Sequence, residues 1–574
     1  MNKDISHTLE YHEKTKHSEI SVMTSRHFLD WGDRPIPFKI YLDLPSISLP
    51  VDIPVPSINA ISAIKFIPSP KSDGKKGIDK PENHGKSLAN LEPVKGLTVM
   101  DISTLLFFSS GITRIMKYDF GNFYMRAASA TGALYPIETY LVCNDILPGL
   151  QAGVYHFNPA EFSLTPIREG DYRYLLASIA GNNSDLLKSP LAIVFTSYAW
   201  RNAWKYQSRS YRHWFWDAGV IAANLLAIAT SLNLESTLAM GFMDDELNRL
   251  LALENEKEAS VSIAAIDVGK GGHSNGNKPE NYPEHFGKTK HIPELAKIKT
   301  CPMSRKEIHY PEIWKAYNSS KLLDPFEVQH WIKAGLSETF EYVGSIDNAD
   351  INKDIHEQQV SQSQLHDPLA GIGEVILKRG STRRFSRSPI SFEILSSIIY
   401  NSTRGIPLDF KKDTDTLIDV YLIANDVSGL EKGSYFFNRR QNVFNRLQGN
   451  GSRNVSGYLC LGQSLFSDAS VVIFLMTDLN KVLKFLGNRG YRASQFEAGV
   501  IAGKIYLAAY SNGIGASGST FYDDAVQEFF SPHAKDKETM IAIGIGVPSY
   551  KSKAGKVLPI KFSRAQLLQQ YGHG

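Results

Sequence analysis

The sequence predicts an α+β fold in which one domain, a mostly antiparallel sheet flanked by helices, occurs twice and is fused as an intramolecular pseudo-dimer. Three observations predict it. At 574 residues the chain is too long for one core, since cores beyond roughly 250–300 residues split into domains. Asp217-Ala-Gly-Val-Ile-Ala-Ala-Asn-Leu-Leu recurs as Glu497-Ala-Gly-Val-Ile-Ala-Gly-Lys-Ile-Tyr, 280 residues later. Each copy also mixes helical periods with short strand periods.

The repeat extends to four blocks in the same order. Arg209-Ser-Tyr-Arg matches Arg489-Gly-Tyr-Arg at the same offset, and Gly241-Phe-Met-Asp-Asp matches Thr520-Phe-Tyr-Asp-Asp one residue out of step. Upstream, Thr139-Tyr-Leu-Val and Gly153-Val-Tyr-His-Phe-Asn parallel Val420-Tyr-Leu-Ile and Gly433-Ser-Tyr-Phe-Phe-Asn. In order, each copy reads as an apolar helix (98–109; 392–400), a strand pair about a glycine turn, a strand (192–197; 471–476), a long helix (212–232; 492–510) and a last strand (261–269; 540–548). The long helix is apolar almost all round, which places it in a core or an interface. The expected organisation is an N-terminal extension over 1–66, a first copy over 95–270, a linker and helical connection over 271–366, and a second copy over 367–574. Stretches 68–96, 269–281 and 351–366 read as loop or linker from their Pro, Gly, Lys and polar content.

Composition narrows the function. Hydrophobic residues make up 43% and charged residues 21%, near the average for globular domains. Net charge is +3 from 62 basic and 59 acidic residues, without a basic stripe, so no nucleic-acid partner is expected. The N-terminus lacks an apolar targeting core and the longest apolar runs are of strand length, so no membrane association and a cytoplasmic location are expected. Cys143, Cys301 and Cys460 have no ligand spacing, so neither disulfides nor a metal site is expected, and each reads as a small buried hydrophobe.

Two segments carry candidate binding chemistry, each present in one copy. The second copy opens with Lys378-Arg-Gly-Ser-Thr-Arg-Arg-Phe. In an extended segment Arg379, Ser381 and Arg383 project from one side, where two guanidinia and a hydroxyl suit a phosphomonoester. Pro389 then leads into a helix that Ser391 can cap. The first copy has no such register but carries Arg126-Ala-Ala-Ser-Ala-Thr-Gly-Ala-Leu-Tyr-Pro, whose small residues let backbone approach a flat ligand. The second copy lacks that block, so each copy keeps a different half of one site.

These motifs resemble two groups of one family. The R-x-S-x-R-x-F opening is similar to the FMN-phosphate segment of nitroreductases, and the block ending in Gly-Ala-Leu-Tyr-Pro is similar to that of SagB-type dehydrogenases. Tyr11-His-Glu-Lys-Thr-Lys-His-Ser, Leu29-Asp-Trp and Pro35 to Lys39 also resemble that group's opening segment. The resemblance implies two nitroreductase-like domains and FMN bound between them. It implies that Arg379, Gly380, Ser381 and Arg383 hold the phosphate. Arg126, Ala128, Ser129, Ala130, Gly132 and Leu134 would line the isoalloxazine, and a backbone N–H at Gly518 or Ser519 would face flavin N5. Lys205 and Tyr206 resemble the proton-abstracting pair of azole-forming members. Such a pair fits the chemistry, since aromatising an azoline removes a proton as hydride leaves. Arg201 and Arg209 are candidate neighbours to depress the lysine. Allowing a slip of one residue, the second copy reads Lys484-Phe485 at this place, keeping the lysine but losing the phenol. The implied activity is azoline-to-azole dehydrogenation, with oxygen as electron acceptor, on a peptide or carrier-bound small molecule, with a cyclodehydratase or another biosynthetic protein as partner. The alternatives are an NAD(P)H-dependent nitro, quinone or ene reductase, and a non-catalytic scaffold of a modification complex.

Overall fold

The computed structural model describes residues 2–65, 96–118, 121–146, 148–269, 292–293, 295, 298–338, 357–361, 363, 365–551, 553–556, 559 and 561–571. Most of the expected loops at 68–96 and 269–281 lies outside these residues. The helices that position the site are α1 (Ser6–Lys14), α2 (Val99–Ser110), α3 (Ala199–Tyr206), α4 (Ser210–Ser231), α5 (Phe392–Ser402), α6 (Leu479–Leu486) and α7 (Asn488–Ser511). Ser391 caps α5 by accepting the Ile394 N–H at 3.4 Å.

Each copy builds a seven-stranded sheet in which every pairing is antiparallel. In spatial order the first runs Ile47–Ser48, Ser163–Glu169, Gly153–Asn158, Ile137–Cys143, Leu191–Tyr198, Glu258–Asp267 and Glu235–Ala239. The second runs Glu357–Gln359, Val443–Gln448, Gly433–Asn438, Asp419–Ala424, Val471–Thr477, Glu538–Gly546 and Gly515–Ser519. The orders correspond strand for strand. Where the sequence suggests only a polar linker, Glu357–Gln359 adds the outer strand of the second sheet by pairing with Val443, Phe444 and Asn445. Its side chains are exposed on both faces, so burial leaves no apolar alternation to read.

The recurring Ala-Gly-Val-Ile-Ala motif is the contact between the copies. α4 and α7 cross so closely at Gly219 and Gly499 that a Cβ on the former would lie 2.6 Å from the Phe496 carbonyl oxygen and the Val500 nitrogen. A Cβ on Gly499 would lie 2.7 Å from the Trp216 carbonyl oxygen, so neither position admits a side chain. One apolar core runs through both copies across this crossing, and a smaller cluster fills the second copy around Phe466, Phe474 and Phe530.

A reciprocal pair of buried ionic clamps flanks the crossing. Arg209 and Arg212 at the start of α4 grip Asp523 of the second copy at 3.0 and 2.8 Å. The corresponding Arg489 and Arg492 of α7 each grip Asp244 of the first copy at 2.6 Å. The N-terminal segment binds both halves. His12 on α1 meets Glu538 at 2.9 Å, and Lys39 sits in a buried pair with Glu258 at 2.5 Å while donating to the Tyr140 hydroxyl at 2.8 Å. The three cysteines are buried and unbridged. Among the described residues one helical run, Ala199–Ser231, has the length and apolarity of a membrane crossing, and 89% of its apolar window is buried inside the fold.

Candidate active site

The geometry starts at a break in helix. Gln207 takes φ +49°, in the left-handed region, so α3 ends at Tyr206 and a short turn separates it from α4. Lys205 and Tyr206 therefore stand at the end of a short helix instead of within the start of the long one. The Lys205 ammonium lies 5.3 Å from the centre of the Tyr206 ring, and the His213 ring packs perpendicular to it with centres 4.5 Å apart.

The small-residue block wraps this phenol. Gly132 has φ +63°, and a Cβ there would sit 2.7 Å from the Tyr206 hydroxyl oxygen, so glycine lets the turn touch the tyrosine. Ala133 and Tyr135 are also left-handed, at φ +54° and +52°. Strain of this kind persists only where surrounding contacts enforce it, and it clusters at functional sites. One enforcing contact is Asp217 on α4, which accepts the Thr131 N–H and hydroxyl, each at 2.8 Å, and the Asn202 amide at 3.4 Å. Behind the turn lies a small cavity lined by Ser109, Ser110, Arg126, Ala128, Ser129, Ala130, Tyr135, Pro136, Ile137, Asp217 and Ile221. Leu134 is buried beside it. Arg126 spends its terminal nitrogens on the carbonyls of Pro37 and Ile137, and its buried Nε has no partner.

The second copy closes this wall from across the interface. Arg379 donates to the carbonyls of Ala127 and Arg126, each at 3.0 Å. The phosphate-type motif and the small-residue block are thus adjacent, and the three residues expected on one side differ in exposure. Arg379 caps the helix Ile372–Lys378 and is buried, whereas Ser381 is half-buried and Arg383 exposed. The strand carrying Arg126 ends there, so its last carbonyls need a donor, and Arg379 supplies it. Gly380 lies near the Tyr510 hydroxyl, 3.7 Å from the position of a Cβ. The Gly518 N–H donates to the Tyr506 hydroxyl at 2.6 Å, and the Ser519 hydroxyl accepts from Gln463 at 2.8 Å.

Electrostatics separates the paired residues. Burial lowers the Lys205 pKa, and the positive charges of Arg383 and Arg34 lower it further. The expected neighbours Arg201 and Arg209 are engaged elsewhere, with Glu138 and Asp523, because each is fully enclosed and needs a buried anion. Tyr206 moves the opposite way, raised by burial and then by the Asp217 charge. Burial pushes Asp217 itself up to about 7, against its hydrogen bonds from Thr131 and Asn202.

The corresponding place on the other side of the pseudo-dimer is filled by the chain itself. Leu238 occupies the position of Gly518 in the matching edge strand. Its N–H donates to the Pro407 carbonyl at 2.8 Å and its carbonyl accepts from Asp409 at 2.9 Å. The Asp409 carboxylate then takes the N–H groups of Met240 and Gly241, both at 3.0 Å. Phe410 packs on Trp331, with ring centres 5.0 Å apart. The second copy's shorter connection before its sheet thus lies along the first copy's edge strand, where the first copy uses the hairpin Ile112–Tyr118 and Gly121–Arg126.

Sequence reasoning missed Asp217, Asn202, His213 and Tyr506 as site residues. A signal was available for two of them: an acid and a histidine inside an otherwise apolar helix, facing Glu497 and Ala493 at the matching positions of α7.

Two antiparallel domains sharing one interface have counterparts among known proteins. The nitroreductase family profile matches residues 104–270 and again 376–547. The chain belongs to the nitroreductase family, carries its domain twice, and is by that membership an oxidoreductase. A nitroreductase homologue of Methanocaldococcus jannaschii is 27% identical over 158 residues, covering 28% of this chain and 76% of that protein. The microcin B17-processing protein of Escherichia coli is 28% identical over 136 residues, covering 23% of this chain and 50% of that protein. The trifolitoxin-processing protein of Rhizobium leguminosarum is 28% identical over 182 residues, covering 30% and 48%. The chain thus spans about half the length of the two processing proteins. A crystal structure of a nitroreductase-type protein from Anabaena variabilis superposes with a TM-score of 0.68 at 23% identity, covering 95% of this chain and 99% of that one, and shares the fold throughout.

Proposed function

We propose that the chain is a cytoplasmic FMN-dependent dehydrogenase that oxidises an azoline-type heterocycle, or a related group, on a peptide or carrier-bound substrate, with oxygen taking up the electrons. The observation that carries this reading is the Lys205–Tyr206 pair set against the Gly132 turn, with the second copy's Arg383 acting on the lysine. Two relatives, named for processing microcin B17 and trifolitoxin, support a peptide substrate and a biosynthetic partner such as a cyclodehydratase in this reading.

The residues present fit FMN. The exposed Arg383 guanidinium and the Ser381 hydroxyl offer phosphate donors at the interface, with Gly380 leaving the backbone open between them and Arg379. Ala128, Ser129, Ala130, Gly132 and Leu134 give a flat wall for a planar ring, and the unpartnered Arg126 Nε points to a missing acceptor. Gly518 and Ser519 are the segment assigned to the flavin N5 edge in this reading, and the Tyr506 hydroxyl accepts the Gly518 N–H at 2.6 Å. FMN, when bound, supplies the two-electron acceptor. Lys205, with its pKa lowered, accepts the substrate proton at Nζ, while Tyr206, with its pKa raised, stays protonated and donates a hydrogen bond from its hydroxyl. The buried aromatic floor of His213 and Trp216 excludes water beneath the phenol.

Purified protein is expected to carry one FMN per chain, measured by flavin absorbance against protein mass, because the segment around Asp409 occupies the matching place. Two flavins per chain would refute the composite site. Arg379→Ala is expected to be isolated without flavin, since it loses the bridge to the Ala127 carbonyl that joins the two walls. The nitroreductase homologue favours a second reading, NAD(P)H-dependent reduction. Turnover of NADPH with a quinone or nitroarene, without peptide, would select it over dehydrogenation. A colourless protein after expression with excess riboflavin would leave only a scaffold role.

A further inference from the structure

Asp217 is a buried carboxylate among aromatic and small residues, and the reaction proposed above makes no use of it. Its Oδ1 takes both donors of Thr131 at 2.8 Å, and its Oδ2 faces the amide of Asn202. Thr131 immediately precedes Gly132, the residue pressed on the Tyr206 hydroxyl. Asn202 stands four residues before Tyr206 on α3, on the same face of that helix. Both supports of the phenol therefore converge on one side chain of α4.

The second copy shows what the same position does without a phenol to place. Glu497 accepts the Leu417 N–H at 2.9 Å, as Asp217 accepts that of Thr131, but it also faces the Lys411 ammonium at 3.6 Å. The helix Leu479–Leu486 ends on Leu486 where α3 ends on Tyr206, so the second copy has no phenol at that place. Among the described residues Asp217 has no cation at ion-pair distance. The titratable groups around it are Tyr206 on α3, Tyr135 and Arg126 beside the turn, Arg379 from the second copy behind them, and His213 on its own helix. The nearby α7 residue Gln495, bonded to Trp216, is uncharged. A negative charge at Asp217 is therefore left to act on the phenols.

We infer that Asp217 is a positioning residue of the Lys205–Tyr206 site, clamping the Thr131–Gly132 turn to α3 and holding the Tyr206 phenol in place and in its protonated form. This rests on the reading of Lys205 and Tyr206 as the reacting pair. Asparagine keeps an oxygen for Thr131 and removes the charge; alanine removes both. The two substitutions therefore separate placement from charge.

The test uses the full FMN-loaded chain with a thiazoline-containing peptide as probe. Asp217→Ala is expected to keep its flavin and lose between about ten- and a hundred-fold in kcat with KM little changed, the size of effect that misplacement of a reacting group produces. Asp217→Asn should recover most of that loss. In an ultraviolet phenolate titration, with the Tyr206 signal isolated by subtracting Tyr206→Phe, both variants should ionise Tyr206 at lower pH than the parent. An unchanged Tyr206 titration in both variants, or an Asp217→Ala enzyme with full kcat, overturns the inference. The titration needs no substrate. If Lys205→Ala and Tyr206→Phe keep turnover while the titration shifts, the reading of the reacting pair falls and the coupling of Asp217 to Tyr206 stands.

Discussion

Asp523→Ala is expected to destabilise the folded chain by about 3–5 kcal/mol, the effect of removing one partner from a buried ion pair. The carboxylate is fully enclosed and receives Arg209 and Arg212 together, so its loss strands two guanidinia in the core. Arg209 also donates to the Thr15 carbonyl, and Arg212 to the His12 carbonyl at 2.9 Å, so the N-terminal segment should loosen as well. Asp244→Ala should match it, because Arg489 and Arg492 are held in the same way on the other side. Lys14→Ala, which breaks an exposed pair with Glu10, should leave stability unchanged. Urea unfolding of the three variants checks the ranking, and equal midpoints would refute the clamp as a determinant of assembly. Acid gives an independent check. Burial alone would raise the Asp523 carboxyl, but Arg209 and Arg212 outweigh it and hold its pKa well below the usual range. Its contribution is thus present above the unfolded carboxylate value and is lost as pH falls toward the folded one. Asp217 has the opposite sign: raised from 3.8 to about 7, it draws stability down as pH rises through that interval. A stability profile highest between the two regimes is expected, and Asp217→Asn should flatten its upper side.

Lys205→Ala is expected to retain FMN and lose turnover by about 10²–10⁴-fold, the usual contribution of a positioned proton-transfer group. Its ammonium stands over the Tyr206 ring and makes no hydrogen bond to either flavin-side wall among the described contacts, so its removal should not open the pocket. The base requires a lysine that gives up its proton more readily than usual. Burial is the largest cause of that, and the charges of Arg383 and Arg34 add to it. Flavin absorbance and steady-state rates on the same preparation decide the matter. A variant that loses FMN with its activity would reassign Lys205 to cofactor binding.

The duplication was legible because its most repeated motif is also the most constrained surface. Gly219 and Gly499 must both lack a side chain for α4 and α7 to cross, and a symmetric contact imposes the same demand on each copy. The nearness of the two half-motifs was legible as well, since Arg379 of one copy meets the carbonyls of Arg126 and Ala127 of the other. What stayed hidden was set by contacts without period. Nothing local in Arg379-Gly-Ser-Thr-Arg says that its first arginine serves carbonyls some 252 residues away. The end of α3 at Tyr206 depends on a left-handed Gln207, a conformation that residue type seldom adopts. The filling of the matching site by Asp409 depends on the length of a connection, and the role of Asp217 depends on a turn 86 residues earlier.

The crossing of α4 and α7 within one chain also changes how the site responds to dilution. In a homodimer a pocket shared between subunits disappears below the dissociation constant. Tethering the halves converts their meeting into an intramolecular event with a fixed effective concentration, commonly millimolar for short flexible tethers. A contact such as that of Arg379 in one half with the Ala127 carbonyl of the other should persist in a cell that makes only a few copies. Tethering also lets each half mutate alone, so a phenol-free residue such as Leu486 can settle at the helix end in one half while Tyr206 persists in the other.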